Sequence, residues 1–262
     1  MFFRKDIDPV KRELTILESK ERKLVQKRTN VKESYINRLL EDKVPEKLRN
    51  TLERAFEKAF ELVFTKGNII IEKTYNKDDY MYEYENNEYI HSEQNNRKSL
   101  KQFSRKSGES KKKNMIISGI EGAGMGALGI GIPDIPVFTG VLLKSIYEIA
   151  MSYGYEYESK YERFFILKLI ETAMDEGESF ISNNNGINIF MESDVYVSDD
   201  DISSQIKRTA MSVSKGMLYM KFIQGIPVVG IAGGITNTVY LKKISEYADM
   251  KYKRRFLINK SR

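Results

Sequence analysis

The stretch SDDDISSQIKRTAMSVSKGMLYM, residues 198–220, decides how the rest of the chain is read. Ser198 followed by Asp199, Asp200 and Asp201 reads as a helix start: a hydroxyl that can accept from first-turn N–H groups, then carboxylates against the positive helix end. Behind it Ile202, Ile206, Ala210, Val213, Met217 and Met220 recur at three- to four-residue intervals, one apolar stripe of a helix. Working outward, Pro45 opens another helix with a broad aromatic stripe, Leu48, Leu52, Ala55, Phe56, Ala59, Phe60 and Val63, which suits a core-facing element. From Pro9 to about Asp42 the pattern predicts one long charged helix, and residues 1–44 form its region. Its stripe of Leu14, Leu17, Leu24, Val31, Tyr35 and Leu39 is narrow and interrupted by Glu21 and Arg28. Further helices are predicted over Val141–Ser152 and Lys160–Glu176, with a loop around Asn183–Asn185 and Gly186. Alternating residues suggest strands only at 68–71 and 186–197. The predicted fold is all-α: a multi-helix globular domain over 45–262 that carries two glycine-rich hydrophobic helical hairpins.

Of the 262 residues 41% are hydrophobic, enough for a core of ordinary size. There is no Cys, which excludes disulfides, thiolate metal sites and cysteine nucleophiles. A single histidine, His91, excludes a two-histidine metal site, and neither metal nor cofactor is expected. His91 falls in a polar stretch, about 76–113, that reads as a basic linker, so it is expected to be exposed and inert. The start MFFRKDIDPVKREL has no apolar run of signal-peptide length, and a cytoplasmic location is expected.

The net charge of +6 is unevenly placed. Residues 97–113 hold eight basic side chains and one acidic, and residues 242–262 hold eight basic and two acidic. The remainder is therefore acidic. Each cluster adjoins a glycine-rich apolar segment, Met115–Ile132 or Phe222–Leu241. A solvated charged face is the plain explanation. Attraction to anionic lipid is the second, with Lys111, Lys112, Lys113, Lys242, Lys243, Lys253, Arg254 and Arg255 as the surface residues. Nucleic acid fits less well, because the clusters carry no repeated stacking pattern.

Seven of the 17 glycines fall between 119 and 140. Gly124, Gly126 and Gly129 satisfy G-x-G-x-x-G, yet Pro133 and Pro136 break the helix that a dinucleotide site needs next. A membrane span through 122–133 would bring in Glu121 or Asp134, and a buried Asp costs about 2.5–3.5 kcal/mol at a helix centre. The segment between Lys221 and Lys242 has the length of a span, but Gln224, Asn237 and its glycines make it a marginal one. Close packing of the two hairpins, against each other or partly into a lipid surface, is the preferred reading, since Gly122/Gly126 and Gly230/Gly234 are small-xxx-small pairs.

The stretch GIEGAGMGALGIGIPDIPVFTGVLLKSIYEIAMSYGYEYES, residues 119–159, resembles the EcsC protein family of bacteria. The glycine series, Asp134-Ile135-Pro136, the Ile-Tyr-Glu-Ile helix and the Tyr153-Gly154 turn carry the resemblance, and IPVVGIAGGITNTVYLKKISEYA at 226–248 is similar to the family's C-terminal portion. The likeness spans roughly residues 45–255. It implies a helical, membrane-associated or transporter-linked accessory protein, without an agreed catalytic motif. Lys144 stands where many relatives would carry Arg, which keeps the charge and loses the planar fork.

Two functions follow as expectations. One is a non-catalytic protein, peripheral on the cytoplasmic membrane face, with an anionic surface and a membrane protein or ABC transporter as partners. The alternative is a hydrolase-like enzyme that uses carboxylates at the glycine-rich segment. Glu121, Asp134, Lys144 and Glu148 are the candidate ligand or interaction residues for either. Desolvation could raise a carboxyl pKa there for acid–base work. The bland roles are a turn or cap for Asp134 and a lysine pair for Glu121.

Overall fold

The structure, a computed structural model, describes residues 8–64, 71, 75–126, 134–223 and 234–262. Ten helices are present among them and no strand. They are α1 (Pro9–Thr29), α2 (Glu33–Lys43), α3 (Glu46–Leu62), α4 (Lys77–Gln94), α5 (Arg97–Gly126), α6 (Asp134–Ser152), α7 (Lys160–Met174), α8 (Gly177–Met191), α9 (Asp199–Ile223) and α10 (Gly234–Ser261).

Local signals start several of them. Asp8 accepts from the Val10 N–H at 2.7 Å, with Pro9 in the first turn of α1. At α9, Ser198 Oγ accepts from the Asp201 N–H (3.2 Å) while Asp201 Oδ2 accepts from the Ser198 N–H (3.0 Å). That reciprocal pair is a capping box with Asp in the acidic position. Gly154 closes α6 at φ +78°, where a Cβ would stand 2.3 Å from the Tyr84 ring. Glycine is required there on both counts.

Helix α10 is the centre. It packs on α5, α6, α7 and α1, while α3 and α9 form a second group against α6 and α7. Tyr240, Leu241, Ile244, Tyr247, Ala248, Tyr252, Phe256 and Leu257 are all buried along it. Aromatic contacts tie the groups together: Phe103 meets Phe256 with centroids 4.6 Å apart, and Tyr147 stacks on Tyr157 at 4.1 Å.

Several expectations need correction. The stretch 76–113 is two helices, α4 and most of α5, rather than a linker. The buried face of α5 runs Leu100, Phe103, Ser107, Ser110 and Asn114, ideal helical spacing built largely from small polar residues. Hydrophobic periodicity therefore misses it. His91 lies within α4 and is buried, its Nδ1 2.7 Å from Ser99 Oγ, and burial lowers its pKa. The single long N-terminal helix is two, α1 and α2, parted at Asn30–Lys32. In α1 the supposed interruptions, Glu21 and Arg28, are buried alongside Leu17. The Asn183–Gly186 loop and the start of the 186–197 strand candidate belong to α8. The other strand candidate, 68–71, falls outside the described residues save Ile71.

Residues 127–133 and 224–233, the middle of the two expected glycine-rich hairpins, lie outside the described residues. Of the described helices, one is long and apolar enough to cross a membrane, over Ile135–Ser152, but 78% of that window is buried in the bundle. Its apolar surface faces other helices.

Candidate functional site

The eight basic residues read from the sequence as a lipid-facing set do not share one fate. Five are held by acidic partners far away in sequence. Lys111 pairs with Asp249 (2.6 Å), Lys243 with Glu176 (2.7 Å) and Lys253 with Glu13 (2.9 Å). Arg254 reaches Glu21 at 3.2 Å, and Arg255 meets Glu162 at 2.8 Å while stacking over the Tyr155 ring at 4.1 Å. Each of these five is half-buried with its charge offset by a carboxylate, which weakens its pull on an anionic surface. Lys112, Lys113 and Lys242 are exposed, and Lys242 makes only a 4.0 Å contact with Glu246.

Lys251, which the sequence reading did not single out, is the deepest cation. It is 0% exposed and donates to Glu21 (2.6 Å) and Asn188 (2.7 Å). Asn184 and Asn188 both donate to the same Glu21 oxygen at 3.0 Å. Burial alone would raise the Glu21 pKa, but Lys251 and the two amides outweigh it and hold the carboxyl low. Burial pulls Lys251 down to about 8. Every partner in this network is supplied from within the bundle, which makes it a structural device.

Of the carboxylate set, Lys144 and Glu148 come together one turn apart on α6, both buried. Glu148 accepts from Asn114 Nδ2, and burial raises its pKa while Asn114, Lys144 and Tyr80 counter it. Glu121 sits in α5 and Asp134 opens α6, and the side chains of both lie outside the described residues. Among the described residues Glu148 thus faces the Asn114 amide, the Tyr80 phenol and Lys144. Among the described residues no group of three His, Asp or Glu side chains is arranged to hold a metal ion.

The helix directions bring two places into focus. Phe103–Phe256 and Lys111–Asp249 fix α5 antiparallel to α10, and Ser145–Ser245 (3.0 Å) with Tyr153–Asp249 (2.9 Å) fix α6 parallel to it. Tyr240 donates to the Met217 carbonyl at 2.8 Å, joining the last turns of α9 to the first of α10. The C-terminal ends of α5 and α9 and the N-terminal ends of α6 and α10 therefore meet at one pole. The second place is a groove of about 790 Å³ along α1 and α10, lined by Leu17, Lys20, Leu24, Lys27, Lys242 and Met250 among others.

A model of the EcsC protein family matches residues 9–257. The chain belongs to the EcsC protein family. The match takes in α1, which the sequence resemblance left less clearly covered. Among curated proteins, the uncharacterized protein YdbA of Bacillus subtilis (strain 168) is 27% identical over 147 residues, 54% of this chain and 53% of that protein. The aligned region spans about half the length of that relative. No solved structure matches.

Proposed function

We propose that this EcsC-family protein is a non-catalytic accessory protein that docks, from the cytoplasmic side, on a membrane carrying anionic lipid and there serves a membrane complex such as an ABC transporter. The observation that carries the reading is the meeting of four helix ends at one pole, the pole from which both glycine-rich segments depart. Below that pole stand Lys112, Lys113 and Lys242, exposed on α5 and α10. From Lys113 helix α5 continues for about 20 Å to Gly126 at the usual helical rise. Small apolar residues at the tip with lysines set back from it suit insertion at a headgroup boundary. Each lysine near such a surface contributes about 1 kcal/mol, screened by salt. The core position of Glu148, between Asn114 and Tyr80, favours this reading over acid–base catalysis.

Flotation tests it. The protein should float with phosphatidylglycerol vesicles, remain behind with neutral phosphatidylcholine, and be released by salt, and Lys112→Glu/Lys113→Glu should abolish the association. Equal recovery on both vesicle types, or on neither, removes the electrostatic mechanism.

A further inference from the structure

The groove between α1 and α10 offers a binding site of a different kind, and it goes beyond surface docking. The two helices run antiparallel, as Glu13–Lys253 and Glu21–Lys251 show. Along α10 the lining extends from Val239 to Lys253, about 21 Å of helix. The floor is apolar: Leu17, Leu24 and Val31 from α1, Tyr219 from α9, Val239 and Met250 from α10. The rim is cationic. Lys20 and Lys27 are exposed without an ion pair among the described residues, and Lys242 has only its 4.0 Å neighbour. Six basic side chains line the groove against three acidic ones. At the inner wall Glu176, 2.7 Å from Lys243, and Asp175 together offset Lys243 and Arg28, so the positive excess lies at the rim.

Shape narrows the class of occupant. Ser104 of α5 and Tyr219 of α9 also line the groove, alongside the residues of α1 and α10. Its volume lies in the range of small-molecule sites. A slim apolar chain fits the floor, and a negative head answers the rim. We propose that the α1–α10 groove binds one anionic single-chain amphiphile of the long-chain carboxylate type, with its chain along the Leu17–Val239 floor and its carboxylate at the Lys27 and Lys242 rim.

The test uses the full chain, stripped of lipid and titrated with cis-parinarate, whose fluorescence rises in an apolar site, and then competed with oleate or with oleyl alcohol. Saturable one-site binding is expected, with oleate about tenfold or more better than the alcohol. Lys27→Glu/Lys242→Glu should weaken binding by about tenfold or more, given two lost attractions of about 1 kcal/mol each. Lys27→Arg/Lys242→Arg should restore it, and Leu24→Glu should abolish it. All these positions are exposed or half-buried, and unchanged thermal melts would confirm folding. Absence of saturable binding, equal competition by the alcohol, or indifference to charge reversal would overturn the proposal. So would a concentration-dependent dimer that Leu24→Glu dissolves, since the occupant would then be a second copy. The membrane reading fails separately: Lys112→Glu/Lys113→Glu should leave oleate binding intact while flotation is lost.

Discussion

The two basic clusters, 97–113 and 242–262, look alike in composition and differ in what they do. In α5 the cations point mainly outward: Lys112 and Lys113 are exposed, and Arg105 makes a solvent-facing 3.7 Å pair with Glu109. In α10 the cations turn inward, and Lys243, Lys251, Lys253, Arg254 and Arg255 each meet a carboxylate from α1, α7 or the α7–α8 junction. A count of charge over a window therefore says little about a surface. What decides is whether acidic residues two hundred positions away fold onto the same face.

The contrast can be broken hardest at Lys251. Lys251→Met leaves buried Glu21 with only the more distant Arg254 (3.2 Å) as its cation and should cost about 3 kcal/mol in urea unfolding, while Lys251→Met/Glu21→Leu should recover most of that loss. Arg255→Lys comes next. It keeps the charge but loses the planar group whose Nη1 donates to both Glu162 oxygens (3.1 and 2.8 Å) while its face stacks on the Tyr155 ring, for about 1.5–3 kcal/mol.

Glu148 sharpens the comparison through pH. Its folded pKa is raised above 4.5, so the folded state holds a proton that the unfolded state has released. Stability must therefore fall as pH rises from about 4.5 through the folded pKa. Glu21 has the opposite sign: its lowered pKa contributes stability that is lost as pH falls below the ordinary carboxylate value. Thermal melts across pH should show Glu148→Gln flattening the decline above pH 4.5, with the acid limb retained. At the small end, Lys112→Glu/Lys113→Glu should change stability by no more than about 0.5 kcal/mol. A larger change would mean that these lysines, too, have partners in the fold.

The all-α architecture was legible where helices follow the apolar rule, in α3 and α9, and where they are capped, as at Ser198. It was not legible in α5, whose buried stripe uses Ser107, Ser110 and Asn114, nor in α1, whose buried stripe includes Glu13, Glu21 and Arg28. Propensity and periodicity treat such residues as solvent-facing, because only the fold supplies the partners that make their burial tolerable. The Lys144/Glu148 pair was legible from its i,i+4 spacing. The groove was not, since it exists only once α1 lies against α10.

Placing α10 at the centre has a kinetic consequence. The ion pair between Glu21 and Lys251 joins residues 230 positions apart, and Glu13 is bound to Lys253 across 240. Before that helix docks, α1, α5, α6 and α7 lack their shared partner, and Glu21 and Glu162 lack the cations that α10 brings them. Closing so long a loop is an entropic toll met before any contact rewards it. Refolding should therefore be governed by one late, cooperative docking event, and a chain emerging from the ribosome has to wait for α10 before the bundle can lock.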